Sequence, residues 1–224
     1  MTENILVITG FGAFANVTDN PTQQIVKELQ DSLPSITTEK TGGTKETIQI
    51  IYHILEVSVD YCESFISKLK AEHIGKELYF IHLGVDCNGE TIKLEQFAYN
   101  NKTFRVPDYR GYQPQNEVIE NENTFDLPLE TSWNVNEILQ SIHNKIIENN
   151  TVSNYFLKPS FLTISNDPGR YLCNYIYYRS LCQHLQHHHQ YSLFVHVPEF
   201  SIISKEQQVN LVKLIVETLL LNVK

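Results

Sequence analysis

Cys173 and His196 are the residues whose types and settings best suit nucleophilic catalysis. The turn sequence Asn166-Asp167-Pro168-Gly169 predicts a helix start, with Asp167 as N-cap and Pro168 as the first helical residue. Cys173 then falls in the opening turns, where unpaired N–H groups and the helix dipole favour a thiolate. His196 lies in the strand pattern Ser192 to Val197, with Leu193, Val195 and Val197 on one face, Phe194 and His196 on the other, and Pro198 ending the run. A Cys-His pair usually has a third polar group that orients the imidazole. Glu95, which interrupts the apolar alternation of Thr91 to Tyr99, is a candidate, although an exposed strand carboxylate is the plainer reading of the residue alone.

Other residues compete for these roles. Cys87, in the loop Asp86-Cys87-Asn88-Gly89, is the rival nucleophile but has no helix start behind it. His82, in Phe80 to Gly84, is the rival base. Cys62 reads as a small apolar core residue on a helix, and Cys182 lies nine positions beyond Cys173, on the opposite helix face. His53 and His73 read as surface or satisfied core residues, and the tract His184 to His189 as a solvated turn without ligand spacing. Gly10-Phe11-Gly12-Ala13-Phe14-Ala15 fits a loose GxGxxA, but Asn16 to Asn20 separate it from the following helix, which a dinucleotide fingerprint does not allow. Two aromatics in that loop suit an apolar ligand, with plain core packing as the equal alternative.

These residues need a scaffold, and the pattern supplies one. Buried strands are expected at Ile5 to Thr9, Ile48 to Leu55, Glu77 to Leu83, Thr91 to Tyr99, Phe161 to Ile164 and Leu193 to Val197. Helices are expected from the Asp19-Asn20-Pro21 cap to about Leu33, at Val59 to His73, Asn134 to Glu148, Asp167 to about Leu185, and Lys205 to Leu221, the last strongly amphipathic. Thr37 to Thr47 reads as a polar surface connection, and Asn100 to Asn123 as an unusually long loop of the kind that carries function. Strands alternating with helices predict an α/β fold: one domain spanning 1–224, a three-layer α/β/α sandwich around a largely parallel twisted sheet. Sites in such sheets gather beyond the strands' C-terminal ends, where the loops after Thr9, Leu83 and Val197 converge.

Composition narrows the function classes. Hydrophobic residues make up 42% and charged residues 19% of the chain, as in ordinary globular proteins, and the net charge of -9 disfavours nucleic acids and anionic membranes. No stretch is apolar enough for a membrane span and no signal peptide opens the chain, so a cytoplasmic location with four free thiols is expected. Without CxxC spacing, neither a zinc site nor a redox dithiol is signalled.

Five blocks, in order, resemble the pyroglutamyl peptidase I family of cytosolic cysteine peptidases. They are Val7 to Phe14 with Asn20-Pro21, Thr91 to Glu95 ending at Asn100, Phe104-Arg105-Val106-Pro107-Asp108 with Gly111, Thr163 to Asn174, and Phe194 to Pro198. The resemblance implies hydrolysis of the amide after an N-terminal pyroglutamate, with Cys173 as nucleophile, His196 as base and then acid, and Glu95 orienting His196. It further implies that Phe11 and Phe14 sandwich the lactam ring, that Val106, Tyr171 and Leu172 line the pocket, that the Val85 backbone hydrogen-bonds the lactam, and that Arg105 lies near the reacting carbonyl. Pyroglutamyl peptides are the implied partners, with no metal or cofactor and with a homo-oligomer left open. The chain departs from the family at Ala13, Ala15 and Pro168, and lacks the glycine-arginine turn of bacterial members after the third strand. The rival readings are an amidase for another small acyl group and a non-enzymatic binding domain.

Overall fold

The computed structural model describes residues 4–14, 18–39, 45–149, 157–182 and 191–221. Seven strands form one sheet in the order β2-β3-β1-β4-β9-β5-β8. They are β1 (Asn4–Phe11), β2 (Ser35–Glu39), β3 (Lys45–Leu55), β4 (Glu77–Val85), β5 (Ile92–Glu95), β8 (Leu162–Ser165) and β9 (Ser192–Val197). Strands β3, β1, β4 and β9 run parallel; β2 is antiparallel to β3, and β5, itself parallel to β8, is antiparallel to β9. The largely parallel α/β/α sandwich expected from the alternation is therefore present, with an edge strand and an internal reversal that the pattern did not reveal.

Alternation along the strands sorts side chains between two cores. Leu6, Ile8, Ile81, Leu83, Leu94, Leu193 and Val195 pack under α1 (Pro21–Ser32), α3 (Val135–Asn149) and α5 (Lys205–Leu221). Ile5, Val7, Phe80 and Phe194 face α2 (Val59–Glu72) and α4 (Leu172–Cys182). As expected, Asn20 caps α1 by accepting from the Thr22 N–H, with Pro21 in its first turn. Helix α5 is buried around most of its girth, a far wider apolar face than a surface helix needs.

Three expectations need correcting. The segment expected as one strand from Thr91 to Tyr99 breaks at Gln96, whose N–H donates to Ser165 and whose carbonyl accepts from Thr131. The chain then enters a separate two-stranded sheet, β6 (Phe97–Tyr99) with β7 (Pro128–Glu130). Of the polar stretch expected as a loop at Thr37 to Thr47, Thr37 to Glu39 instead lie in β2 and Lys45 to Thr47 in β3, and 40–44 lie outside the described residues. The helix expected from Asp167 begins only at Leu172. Asp167 accepts from the Gly169 N–H in a tight turn, and Gly169 has φ +78°, a left-handed conformation that no α-helix continues through. The tract His184 to His189 lies outside the described residues.

The long stretch after Asn100 is held to the body. Fully buried Asn100 donates to the carbonyls of Glu120, Asn123 and Thr124 and accepts from the N–H groups of Ile119 and Glu120.

Candidate active site

The later helix start places Cys173 second in α4, closer to the unpaired N–H groups than a start at Asp167 would. The first bond of the helix runs from the Tyr175 N–H to the Tyr171 carbonyl. Asn174, next to the cysteine and fully buried, accepts from the Tyr99 N–H and donates to the carbonyls of Tyr99 and Asn101. That amide locks the first turn of α4 to β6. Nothing in the sequence pattern marks Asn174, because its partners lie far back along the chain.

His196 stands near the C-terminal end of β9, where Pro198 ends the strand. In the β5–β9 ladder Glu95 lies opposite Phe194, so it projects from the same face as His196, one diagonal step away. Its Oε1 is 2.8 Å from the His196 Nδ1. Glu95 has no exposed surface, which excludes the solvated strand carboxylate, and its Oε2 lacks a partner among the described residues. With Nδ1–H donating to Glu95, Nε2 is the nitrogen left to meet the Cys173 sulfur, which lies close enough to act on the imidazole. Burial lowers the pKa of His196, but the sulfur and then Glu95 outweigh it and raise the imidazole to about 10.

Gly84 makes room for this contact, a role that a lone glycine at a strand end signals only in hindsight. It lies opposite His196 in the β4–β9 ladder. A Cβ there would stand 2.8 Å from the Cys173 Sγ and 2.6 Å from the Phe194 Cζ. The missing side chain is thus the space that lets the sulfur settle beside the imidazole.

The competitors sit elsewhere. His82 is fully buried, its Nδ1 is 2.8 Å from the Thr9 Oγ1, and burial holds its pKa down at about 3, so it stays neutral. Cys87 is exposed, and burial followed by the charges of Glu199 and Asp86 raises its thiol. Cys62 lies in the core, where burial pushes its thiol well up. His53 stacks on Phe65 at 4.4 Å and bonds the Tyr61 hydroxyl, a satisfied histidine as expected.

Some of the residues expected to line a pocket lie against one another. Half-buried Phe14 faces Tyr171 with ring centroids 6.0 Å apart, and Phe104 meets Tyr171 edge-on at 4.7 Å. Val85 ends β4 opposite Val197, beside the strand that carries His196. Phe11 and Leu172 are 4% and 1% exposed and pack in the core, so Leu172 can offer the site its backbone more readily than its side chain. Arg105 and Val106 are exposed on the loop that follows Phe104, and neither side chain bonds to the Cys173, His196 and Glu95 cluster among the described residues. Among the described residues no group of three or more His, Cys, Asp or Glu is placed to hold a metal ion, and no helix is long and apolar enough to cross a membrane.

The pyrrolidone-carboxylate peptidase of Thermococcus litoralis is 29% identical over 200 residues, covering 86% of this chain and 76% of that protein. Human pyroglutamyl-peptidase 1 is 29% identical over 195 residues, covering 86% of this chain and 78% of its own length. A variant pyrrolidone carboxyl peptidase from Pyrococcus furiosus shares the fold, with a TM-score of 0.76 over 97% of this chain and 99% of that one at 24% identity. A pyroglutamyl peptidase family model matches residues 4–224, nearly the whole sequence, and the chain belongs to that family.

Proposed function

We propose that this protein hydrolyses the amide bond after an N-terminal pyroglutamyl residue, through an acyl-enzyme on Cys173. The observation that carries the reading is the line from buried Glu95 through His196 to the Cys173 sulfur, with Tyr171 of the Phe14–Tyr171 pair two residues before the cysteine. The thiolate attacks the pyroglutamyl carbonyl, and the resulting oxyanion is held by N–H groups at the start of α4. The tetrahedral intermediate collapses as His196 gives its proton to the departing amine, leaving a thioester. His196 then takes a proton from water, hydroxide attacks the thioester, and pyroglutamate leaves as the thiolate is restored beside the protonated imidazole. Glu95 holds the imidazole with Nε2 toward sulfur and supports its positive charge. The sequence calls for no metal or cofactor.

The ligand chemistry fits these walls. Pyroglutamate is an uncharged ring with one lactam donor and one acceptor, suited to the apolar faces of Phe14 and Tyr171 together with backbone partners such as Val85. An N-terminal proline would carry an ammonium into that slot, and burying an unpaired charge costs several kcal/mol. Dependence on a thiolate, with all four cysteines free, supports a reducing compartment, the cytoplasm.

The test is release of a fluorophore from a pyroglutamyl amide under reducing conditions, beside prolyl and glutaminyl amides. Turnover of the pyroglutamyl reporter alone, abolished by Cys173→Ala, is expected. Equal turnover of the prolyl reporter, or activity retained by Cys173→Ala, would overturn the assignment.

A further inference from the structure

Asp108 is an acidic side chain that the proposed chemistry leaves unused, yet it is only 5% exposed. Its Oδ2 accepts from the Val59 N–H at 2.9 Å, in the first turn of α2. Its Oδ1 accepts from the N–H groups of Arg110 at 2.9 Å and Tyr112 at 3.0 Å. The carboxylate therefore caps a helix 49 residues away while closing its own loop. Two more ties join the same bodies: the Tyr109 N–H donates to the Val57 carbonyl, and Arg110 pairs with Glu56.

The other end of this loop lies against the catalytic helix. The Thr103 N–H donates to the Arg170 carbonyl, buried Phe104 packs on Tyr171, and the Tyr171 hydroxyl donates to the Pro107 carbonyl at 3.1 Å. Pro107 adjoins Asp108, so the phenol of Tyr171 is tethered to a backbone that the buried carboxylate fixes to α2. We propose that Asp108 is a positioning residue for substrate binding, setting the separation of Tyr171 from Phe14 and hence the width of the acyl slot. This rests on the reading of that slot as the pyroglutamyl site. The exposed Arg110–Glu56 pair contributes little, because solvent screens it.

The experiment compares wild type with Asp108→Asn, Tyr171→Phe and Arg110→Ala, measuring kcat and KM on the pyroglutamyl reporter, the rate of Cys173 alkylation by iodoacetamide, and thermal stability. A loosened slot loses ground-state and transition-state binding together, so Asp108→Asn should raise KM about tenfold while kcat stays within about threefold. Alkylation should keep its wild-type rate, since the sulfur and imidazole are untouched, and Arg110→Ala should match wild type throughout. An unchanged KM in Asp108→Asn, or a fall in kcat and alkylation at constant KM, would overturn the proposal. Should Asp108→Asn fail to fold, Tyr171→Phe decides: it cuts the same tether at its far end, so a raised KM supports the role and an unchanged KM refutes it. Absence of wild-type turnover overturns both this role and the pyroglutamyl reading, and is seen before any variant is compared.

Discussion

The imidazole of His196 owes its upward shift first to the Cys173 sulfur and only then to Glu95, with burial opposing both. Cys173→Ser replaces that sulfur with a poorly acidic hydroxyl, so the His196 midpoint should fall by at least a unit, about 1.4 kcal/mol of differential interaction. NMR titration of the imidazole checks this; a midpoint unmoved by the substitution would show that the sulfur is not its main partner. Glu95→Gln keeps a hydrogen-bond acceptor but removes the charge, and should lower kcat more than it changes KM. Both cysteine and histidine were legible from local pattern, one from a nearby turn and the other from a strand. Glu95 was legible only as an interruption, because its burial depends on β9, whose histidine lies 101 residues further on.

Among the elements, the close passage of β4 beneath α4 carries the sharpest expectation. Gly84→Ala places a methyl group against the Cys173 sulfur and the Phe194 ring. Overpacking of this kind costs about 1–3 kcal/mol, and displacement of a reacting group by about 1 Å costs on the order of a hundredfold in rate. Activity should therefore fall far more than the melting temperature, and wild-type kcat/KM in Gly84→Ala would refute the account. The strands and helices with clear periodicity were legible, including the Asn20 cap of α1. The start of α4 was not, because Asp167 and Pro168 suit a tight turn as well as a cap, and the left-handed Gly169 decides between them. Strands β2 and β7 were also missed: each is short and lacks a clear apolar alternation, and each takes its structure from a partner strand rather than from its own pattern.

For the molecule as a whole, two histidines on neighbouring strands give stability a preferred pH. His196 is raised from 6.5 to about 10, so its contribution is full below pH 6.5 and is lost as pH rises through about 10. His82 is lowered from 6.5 to about 3, so the unfolded chain binds the extra proton and stability falls as pH drops from 6.5 toward 3. Melting temperature should peak near the middle of this window. His82→Phe should flatten the acid limb and leave the alkaline limb intact; two unchanged limbs would count against the assignment. The α/β/α layering was legible because alternation of elements follows from chain pattern, whereas the placing of β9 between β4 and β5 depends on distant partners. That placing has a consequence for synthesis. Among the described strands, the last in chain order is inserted between two that emerge long before it, and it carries His196. A nascent or truncated chain ending before Ser192 holds a sheet with its middle missing and a sulfur without its imidazole, so peptidase activity is expected only once β9 has been made and inserted.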